Sequence, residues 1–273
     1  MSESSPRYFA VDRLAVEIHP TRADLGRTAA AAAAEYLRLC IASQHFARVV
    51  FACAPSQDDF LASLADDLTN PVDWGKITAF QMDEYVGLSG DHPQSFQHYL
   101  REHFLARVEV GAFHPLSAGE KDGTEVCARY AEMLLELPID LICMGVGENG
   151  HIAFNDPPFA DFDDRARVKQ VKLDDACLLQ QVNDGCFQSV VEVPRGALTL
   201  TVPVFRAARR LSIHVPGPRK AEAVRAMLEG PIETSCPASI LRLHPNATLF
   251  LDPASASGLT IWAPDRKPGC VRR

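Results

Sequence analysis

Three groups of polar residues in this chain stand at the ends of apolar runs, where side-chain chemistry can meet a ligand. The first is Asp83-Glu84, directly after a run that ends at Met82. A carboxylate at the C-terminal end of a buried strand can act as a general base once a substrate proton comes within hydrogen-bonding reach. The plainer alternative is a helix cap or a solvated loop charge. The second group is His151 with Asn149 and Asp156. Histidine titrates near neutrality and suits proton transfer to or from an oxygen. Asp156 can turn back to orient the ring, and Gly147 and Gly150, on either side of Glu148-Asn149, let a ligand approach the backbone. The alternative here is a satisfied histidine at a strand end. No second histidine or cysteine stands beside it at metal-ligand spacing, so no metal is expected. The third group is a pair of helix starts, Ser56-Gln57 and Gly217-Pro218-Arg219-Lys220. Free N–H groups and the helix dipole suit a phosphate there. Neither carries the G-K-S/T ending of a Walker loop, and each alone reads equally as an ordinary capped helix.

The elements that must position these groups follow from hydrophobic patterning. The run 139–146 is apolar except for Asp140 and Gly145, which suits a strand buried on both faces. Further strands are expected over 45–54, 76–82, 168–173, 197–202, 211–215 and 247–251. Helices are expected over 21–44, where Thr21 can cap, then 59–64, 124–137, 174–181 and 220–228. Another begins after Ser95, with Phe96, Tyr99, Leu100 and Phe104 on one side. The alanine run 29–34 suits a helix packed closely against a sheet. The segment 160–167 and the tail from Ala254 read as irregular. Strands alternating with helices predict an α/β fold: an open, mostly parallel sheet with helices on both faces, modified Rossmann-like, over one domain spanning 1–273. In such folds ligands bind at the C-terminal ends of the strands.

Composition narrows the function. The formal charge of -8 leaves no basic excess for nucleic acid. A small anion remains compatible, since one lysine or helix N-terminus suffices for it. None of the eight cysteines forms a C-x-x-C pair, and several sit in apolar patterns. Free thiols in a reducing cytoplasm are the expectation. The first residues lack a basic region followed by an apolar core, and the alanine run is too short to span a bilayer. Neither a leader nor a membrane partner is expected.

Taken together, several segments resemble the glucosamine-6-phosphate deaminase (isomerase) family, sister to the 6-phosphogluconolactonases. They are M-D-E-Y-V-G-L at 82–88, H-P-Q-S-F at 92–96 and G-V-G-E-N-G-H-I-A-F-N-D-P at 145–157. V-P-R-G-A-L-T at 193–199, G-P-R-K at 217–220 and L-H-P at 243–245 follow in the same order. The resemblance covers residues 45–252. The histidine stretch runs into I-A-F-N rather than the T-A-S-L-F typical of the lactonases, which favours the deaminase branch.

The resemblance implies ring opening of an amino-sugar 6-phosphate, proton movement from C2 to C1, and release of ammonia to leave a ketose phosphate, without metal or organic cofactor. It implies Asp83 as the enolising base and His151 as the ring-opening group. Asp156 stands where the family usually has a glutamate, and Asn149 where it often has an aspartate. The family's Gly-rich phosphate loop is replaced by Ala54-Pro55-Ser56-Gln57, and its phosphate-gripping arginine falls on Gln181, a neutral amide in place of a guanidinium. Lys220 is retained. Family members often form oligomers, so a homo-oligomer is a further expectation. A sugar-phosphate lactone hydrolase and a non-catalytic sugar-phosphate sensor are the alternatives.

Overall fold

The computed structural model describes residues 5–66, 70–117, 123–157 and 159–261. The expectations touching Pro158, Cys270 and the basic end of the tail lie outside the described residues.

The chain opens with a hairpin, β1 (Arg7–Val11) and β2 (Leu14–Ile18). Helix α1 (Arg22–Gln44) follows, capped by Thr21, whose side chain accepts from the Asp24 N–H, and closed by His45 in the left-handed region at φ 70°. Next come β3 (Ala47–Phe51), a 3₁₀ turn (Pro55–Gln57), α2 (Asp58–Ala65), β4 (Ile77–Gln81) and the short β5 (Asp83–Tyr85). Helix α3 (Phe96–Leu100) continues as a π-helical turn (Arg101–Leu105) into β6 (Ala112–His114), α4 (Gly123–Leu135) and β7 (Leu141–Met144). The second half runs β8 (Val168–Lys172), α5 (Asp175–Asn183), β9 (Gly196–Leu200), α6 (Val202–Ala207), β10 (Arg210–Val215), α7 (Ala221–Glu229) and β11 (Ala247–Leu251).

Eight strands form the main sheet in the order β1-β2-β11-β10-β7-β3-β4-β6. Only the β1–β2 pairing is antiparallel. β3 and β7, at the centre, are buried at every residue. That accounts for their unbroken apolar runs: a strand covered on both faces has no solvent side to alternate with. Two apolar clusters cover the sheet. One contains Leu37, Phe51, Phe60 and Phe104, the other Ile142, Met144, Val224 and Met227. In α1 the expected close packing holds, with Ala29, Ala30, Ala33 and Ala34 all buried. A Cβ at Gly26 would lie 2.6 Å from the Asp59 Cβ, so α1 meets α2 at a point that admits no side chain.

Asp140 interrupts the β7 run because it serves as a backbone clamp. It accepts from the Arg48 N–H (2.8 Å), the Gln44 amide (2.9 Å) and Arg209 (2.9 Å), tying α1, β3 and β10 together at the sheet end opposite the glycine turn.

The sequence expectation differs from the structure at several points, among them the short edge strand β6, which it did not contain. The edge hairpin β1–β2 was not foreseen. The strand expected over 197–202 stops at Leu200, and Val202 begins α6 with Pro203 in its first turn. Most important for function, Asp83-Glu84 is not a loop after β4. It belongs to a second, three-stranded antiparallel sheet, β5-β9-β8. Cys40, Cys53, Cys127, Cys143, Cys177, Cys186 and Cys236 are free thiols, as expected. Among the described residues no helix is long and apolar enough to cross a membrane.

Candidate active site

β3 sends the chain through α2 toward β4, while β7 lies on the other side of β3 and next to β10. The crevice between the C-terminal ends of β3 and β7 is therefore a topological switch point, where open α/β sheets bind ligands. A cavity of about 450 Å³ opens there, within the range of small-molecule sites. It is lined by Ser56 and Gln57 after β3, Asp83 from β5, Gly145, Gly147 and His151 after β7, Gln181 from α5, and Lys220 before α7.

Asp83 is 7% exposed and faces this cavity, with no side-chain hydrogen bond to another described residue. Burial, then the adjacent Glu84 carboxylate, push its carboxyl well above the usual range. Glu84, expected as a second candidate base or a cap, is the cap. Its carboxylate accepts from the Phe96 (3.0 Å) and Gln97 (2.8 Å) N–H groups at the start of α3, and from the Tyr85 N–H (2.9 Å). Two neighbouring carboxylates thus have separate tasks, one saturated by backbone donors and the other free toward the cavity.

His151 is presented by a tight turn. The Gly147 N–H donates to the His151 carbonyl (2.9 Å), and the Gly150 N–H to the Gly147 carbonyl (3.1 Å). A Cβ on Gly147 would lie 2.2 Å from the imidazole Nε2, so the ring packs directly on that glycine backbone. Behind the ring, Nδ1 is 2.9 Å from Asp156 Oδ1, an ion-pair distance although the ring N–H is not in line with the oxygen. Asn149 completes the group by donating from Nδ2 to Asp156 Oδ1 (3.1 Å) and accepting the His151 N–H at Oδ1 (3.0 Å). Burial would raise the Asp156 carboxyl, but His151 and Asn149, with Cys177, hold it below the usual carboxylate range. An ionised Asp156 therefore faces the inner edge of the ring.

Asn149, Asp156 and Gly150 do not line the cavity. The first two stand behind His151 and orient it. Gly150 has φ 83°, and its carbonyl accepts from the Ala238 N–H; a Cβ there would lie 2.7 Å from Cys236 Sγ. Its lack of a side chain serves packing on the 236–238 turn rather than ligand approach, whereas Gly145, Gly147 and Gly217 line the cavity. Cys177 was not visible from spacing. Its sulfur, His151 and Asp156 place their ligating atoms within 4.8 Å of one another. The thiol is buried, and burial followed by the Asp156 charge pushes it well above its usual range, so it stays protonated beside that carboxylate.

One strand carries both catalytic candidates. β9 pairs Thr199 with Asp83, and the Thr199 hydroxyl accepts the Phe154 N–H (3.0 Å). The Asn155 amide donates to the carbonyls of Leu200 (2.8 Å) and Ile152 (2.9 Å). The base and the histidine loop thus hang on adjacent residues of β9.

Cations also line the cavity. Lys220 is 7% exposed, and burial lowers its ammonium pKa, with Asp184 and Glu148 pulling it partly back. Arg219 is held by Asp184 (2.9 Å) and Glu148 (3.3 Å). Gln181 lines the cavity and accepts from the Tyr85 hydroxyl (2.5 Å). Arg22 also lines it, although no sequence signal marked it beyond its place after the Thr21 cap. From the start of α1 its guanidinium bonds Asp59 and the Pro55 carbonyl, beside Ser56.

Comparison with known proteins converges on one family. Residues 20–250 match the family described as glucosamine-6-phosphate isomerases/6-phosphogluconolactonase. A glucosamine-6-phosphate deaminase of Lactobacillus delbrueckii subsp. bulgaricus is 35% identical over 192 residues, covering 70% of this chain and 79% of the relative. One from Exiguobacterium sibiricum is 36% identical over 189 residues, or 69% and 73% of the two chains. The solved structure of a monomeric glucosamine-6-phosphate deaminase superposes with TM-score 0.82 at 30% identity, over 89% of this chain and 99% of that one. A 6-phosphogluconolactonase from Shewanella baltica shares the fold, with TM-score 0.71 at 18% identity over 89% and 98% of the two chains. The chain belongs to the glucosamine-6-phosphate isomerase/6-phosphogluconolactonase family.

Proposed function

We propose that the protein is an aldose–ketose isomerase that deaminates an amino-sugar 6-phosphate, with glucosamine 6-phosphate the first substrate to test. The observation that carries this is the shared cavity: Asp83 and His151, from different sheets, open onto the same space as Ser56 and Lys220. A lactonase needs the histidine to activate water, but it has no use for a buried, unpartnered carboxylate with a raised pKa.

In this mechanism the phosphate sits against Ser56 and Lys220, with Arg22 adding positive charge. Gln181 contributes an amide where a guanidinium is commoner, so charge-assisted contacts from α5 are absent. His151 moves a proton at the ring oxygen and opens the sugar, its ring orientation held by Asp156 and Asn149. Asp83 then removes the C2 proton and returns it to C1. Its raised pKa makes it a stronger base toward a carbon acid than an exposed aspartate. Water replaces the nitrogen at C2, giving a ketose 6-phosphate and ammonia.

We read residues 1–273 as one domain with one such site, acting in a reducing cytoplasm. The homo-oligomer implied by the resemblance is tested by sedimentation. Purified protein given glucosamine 6-phosphate should release ammonia and fructose 6-phosphate in equal amounts. Hydrolysis of a sugar-phosphate lactone without ammonia release from the amino sugar would replace this function with the lactonase one.

A further inference from the structure

Gln57 was expected to touch phosphate, yet its amide is engaged in the interior. Its Nε2 lies 3.4 Å from the His214 carbonyl and 3.0 Å from Ser56 Oγ, while its Oε1 lies 2.8 Å from His214 Nδ1. His214 Nε2 in turn lies 2.7 Å from Ser212 Oγ. His214 is fully buried, its ring against Phe60 at 3.9 Å between centroids and tilted by 31°, and burial pushes its pKa down to about 3.

The direction of every bond in this chain follows from one fixed point. A backbone carbonyl only accepts, so the Gln57 end beside the His214 carbonyl must be the NH₂ group. Its oxygen then faces His214 Nδ1, which must carry the ring proton. A neutral ring protonated at Nδ1 can only accept at Nε2, so Ser212 donates its hydroxyl there. The remaining Gln57 proton goes to Ser56 Oγ. That oxygen accepts from inside, which leaves its own hydroxyl proton for the cavity. Gly145 leaves room for the junction: a Cβ there would lie 3.1 Å from Gln57 Nε2 and 3.3 Å from Ser56 Oγ.

We propose that Ser212, His214 and Gln57 are positioning residues: a one-way hydrogen-bond chain from the sheet interior that presets the Ser56 hydroxyl as a donor to an anionic group of the ligand. The inference rests on the phosphate end of the proposed site. It supplies a physical reason for Gln57 in a loop that lacks the family's glycines, and for His214 on β10 behind it. An unfixed hydroxyl must give up rotational freedom to meet an anion, whereas this one is held in its donating orientation beforehand.

Two measurements test it on the full-length protein. Imidazole ¹⁵N shifts should mark His214 as neutral and protonated at Nδ1 at pH 7; a ring protonated at Nε2 reverses the chain and overturns the proposal. Binding of inorganic phosphate is then followed by calorimetry for Ser56→Ala, His214→Phe and the double variant. Phenylalanine retains an aromatic ring against Phe60. Each single change should weaken phosphate binding about tenfold, and the double no further, because His214 acts through Ser56. In turnover the loss should appear in KM, with kcat within about twofold. If His214→Phe lowers Tm while phosphate affinity is unchanged, or if the two losses add, His214 is a packing residue only. Where His214→Phe fails to fold, Gln57→Met removes the donor to Ser56 and must reproduce the Ser56→Ala loss. Wild-type protein that binds neither inorganic phosphate nor glucosamine 6-phosphate would overturn the phosphate site itself, a result distinct from a bound phosphate indifferent to His214.

Discussion

Ionising the buried Asp83 costs the fold stability. Its folded-state pKa is raised, so the folded protein binds a proton that the unfolded chain, with a carboxyl near ~3.9, has already lost. Stability from this group therefore falls as pH rises from the unfolded value through the folded one, and the loss is complete above it. Asp83→Asn removes the charge in place, so at pH 8 its Tm should exceed that of wild type by about 2–4 °C for each kcal/mol relieved. An equal or lower Tm in a thermal scan would mean that the carboxylate is paired. The base must also be ionised to work, so kcat/KM should rise with pH along an acid limb above the ordinary aspartate range. Glu84 is the second cause of that shift, so Glu84→Gln should move the limb to lower pH while loosening α3. A limb that does not move would make burial alone responsible. Gly147→Ala tests the histidine seat: its methyl would overlap the imidazole, and kcat should fall by about 10²-fold, the scale of a misplaced acid–base group, with a far smaller change in Tm. At this scale the sequence was informative where type and motif coincide. Asp83, His151, Ser56 and Lys220 all reach the cavity. It was silent on Arg22 and Cys177, because contact across elements distant in the chain leaves no mark in local spacing.

Among the elements, β9 has the role that its residue pattern hid. The segment 193–199 is recognisable as a motif, yet it contains no acid, base or nucleophile placed at the cavity. Its task is to hold β5 by register and the histidine loop through Thr199 and Leu200. Thr199→Val keeps the shape and leaves the buried Phe154 N–H unpaired, which should cost about 1–3 kcal/mol and lower kcat through the His151 loop. Denaturant unfolding and steady-state kinetics together check this; a loss of stability with unchanged kcat would uncouple β9 from the site. The buried strands β3, β7 and β10 were legible because an apolar run admits few other readings. β5 was not, since the three residues Asp83–Tyr85 are polar or aromatic and become a strand only through pairing with β9. The edge strand β1 escaped notice for a related reason: with β2 covering one side only, none of its residues is buried, and no alternation of buried and solvent-facing positions marks it as a sheet strand.

For the whole molecule, the main sheet supplies the crevice and the small sheet supplies the base. His151 and Ser56 come from the C-terminal ends of β7 and β3, either side of the switch point, while Asp83 is carried over that edge by β5. The parallel α/β class could be inferred from alternating patterns. The second sheet could not, because the β5–β9 pairing that brings in Asp83 joins segments more than a hundred residues apart. The central claim is that Asp83 performs the carbon-acid step in the cavity that His151 and Lys220 share. Ammonia release from glucosamine 6-phosphate by wild type and by Asp83→Asn, each shown to be folded and to bind inorganic phosphate, tests it most directly. Wild type should turn over, and the variant should lose roughly 10²–10⁴-fold in kcat with phosphate binding intact. An Asp83→Asn protein that releases ammonia at the wild-type rate would contradict the account.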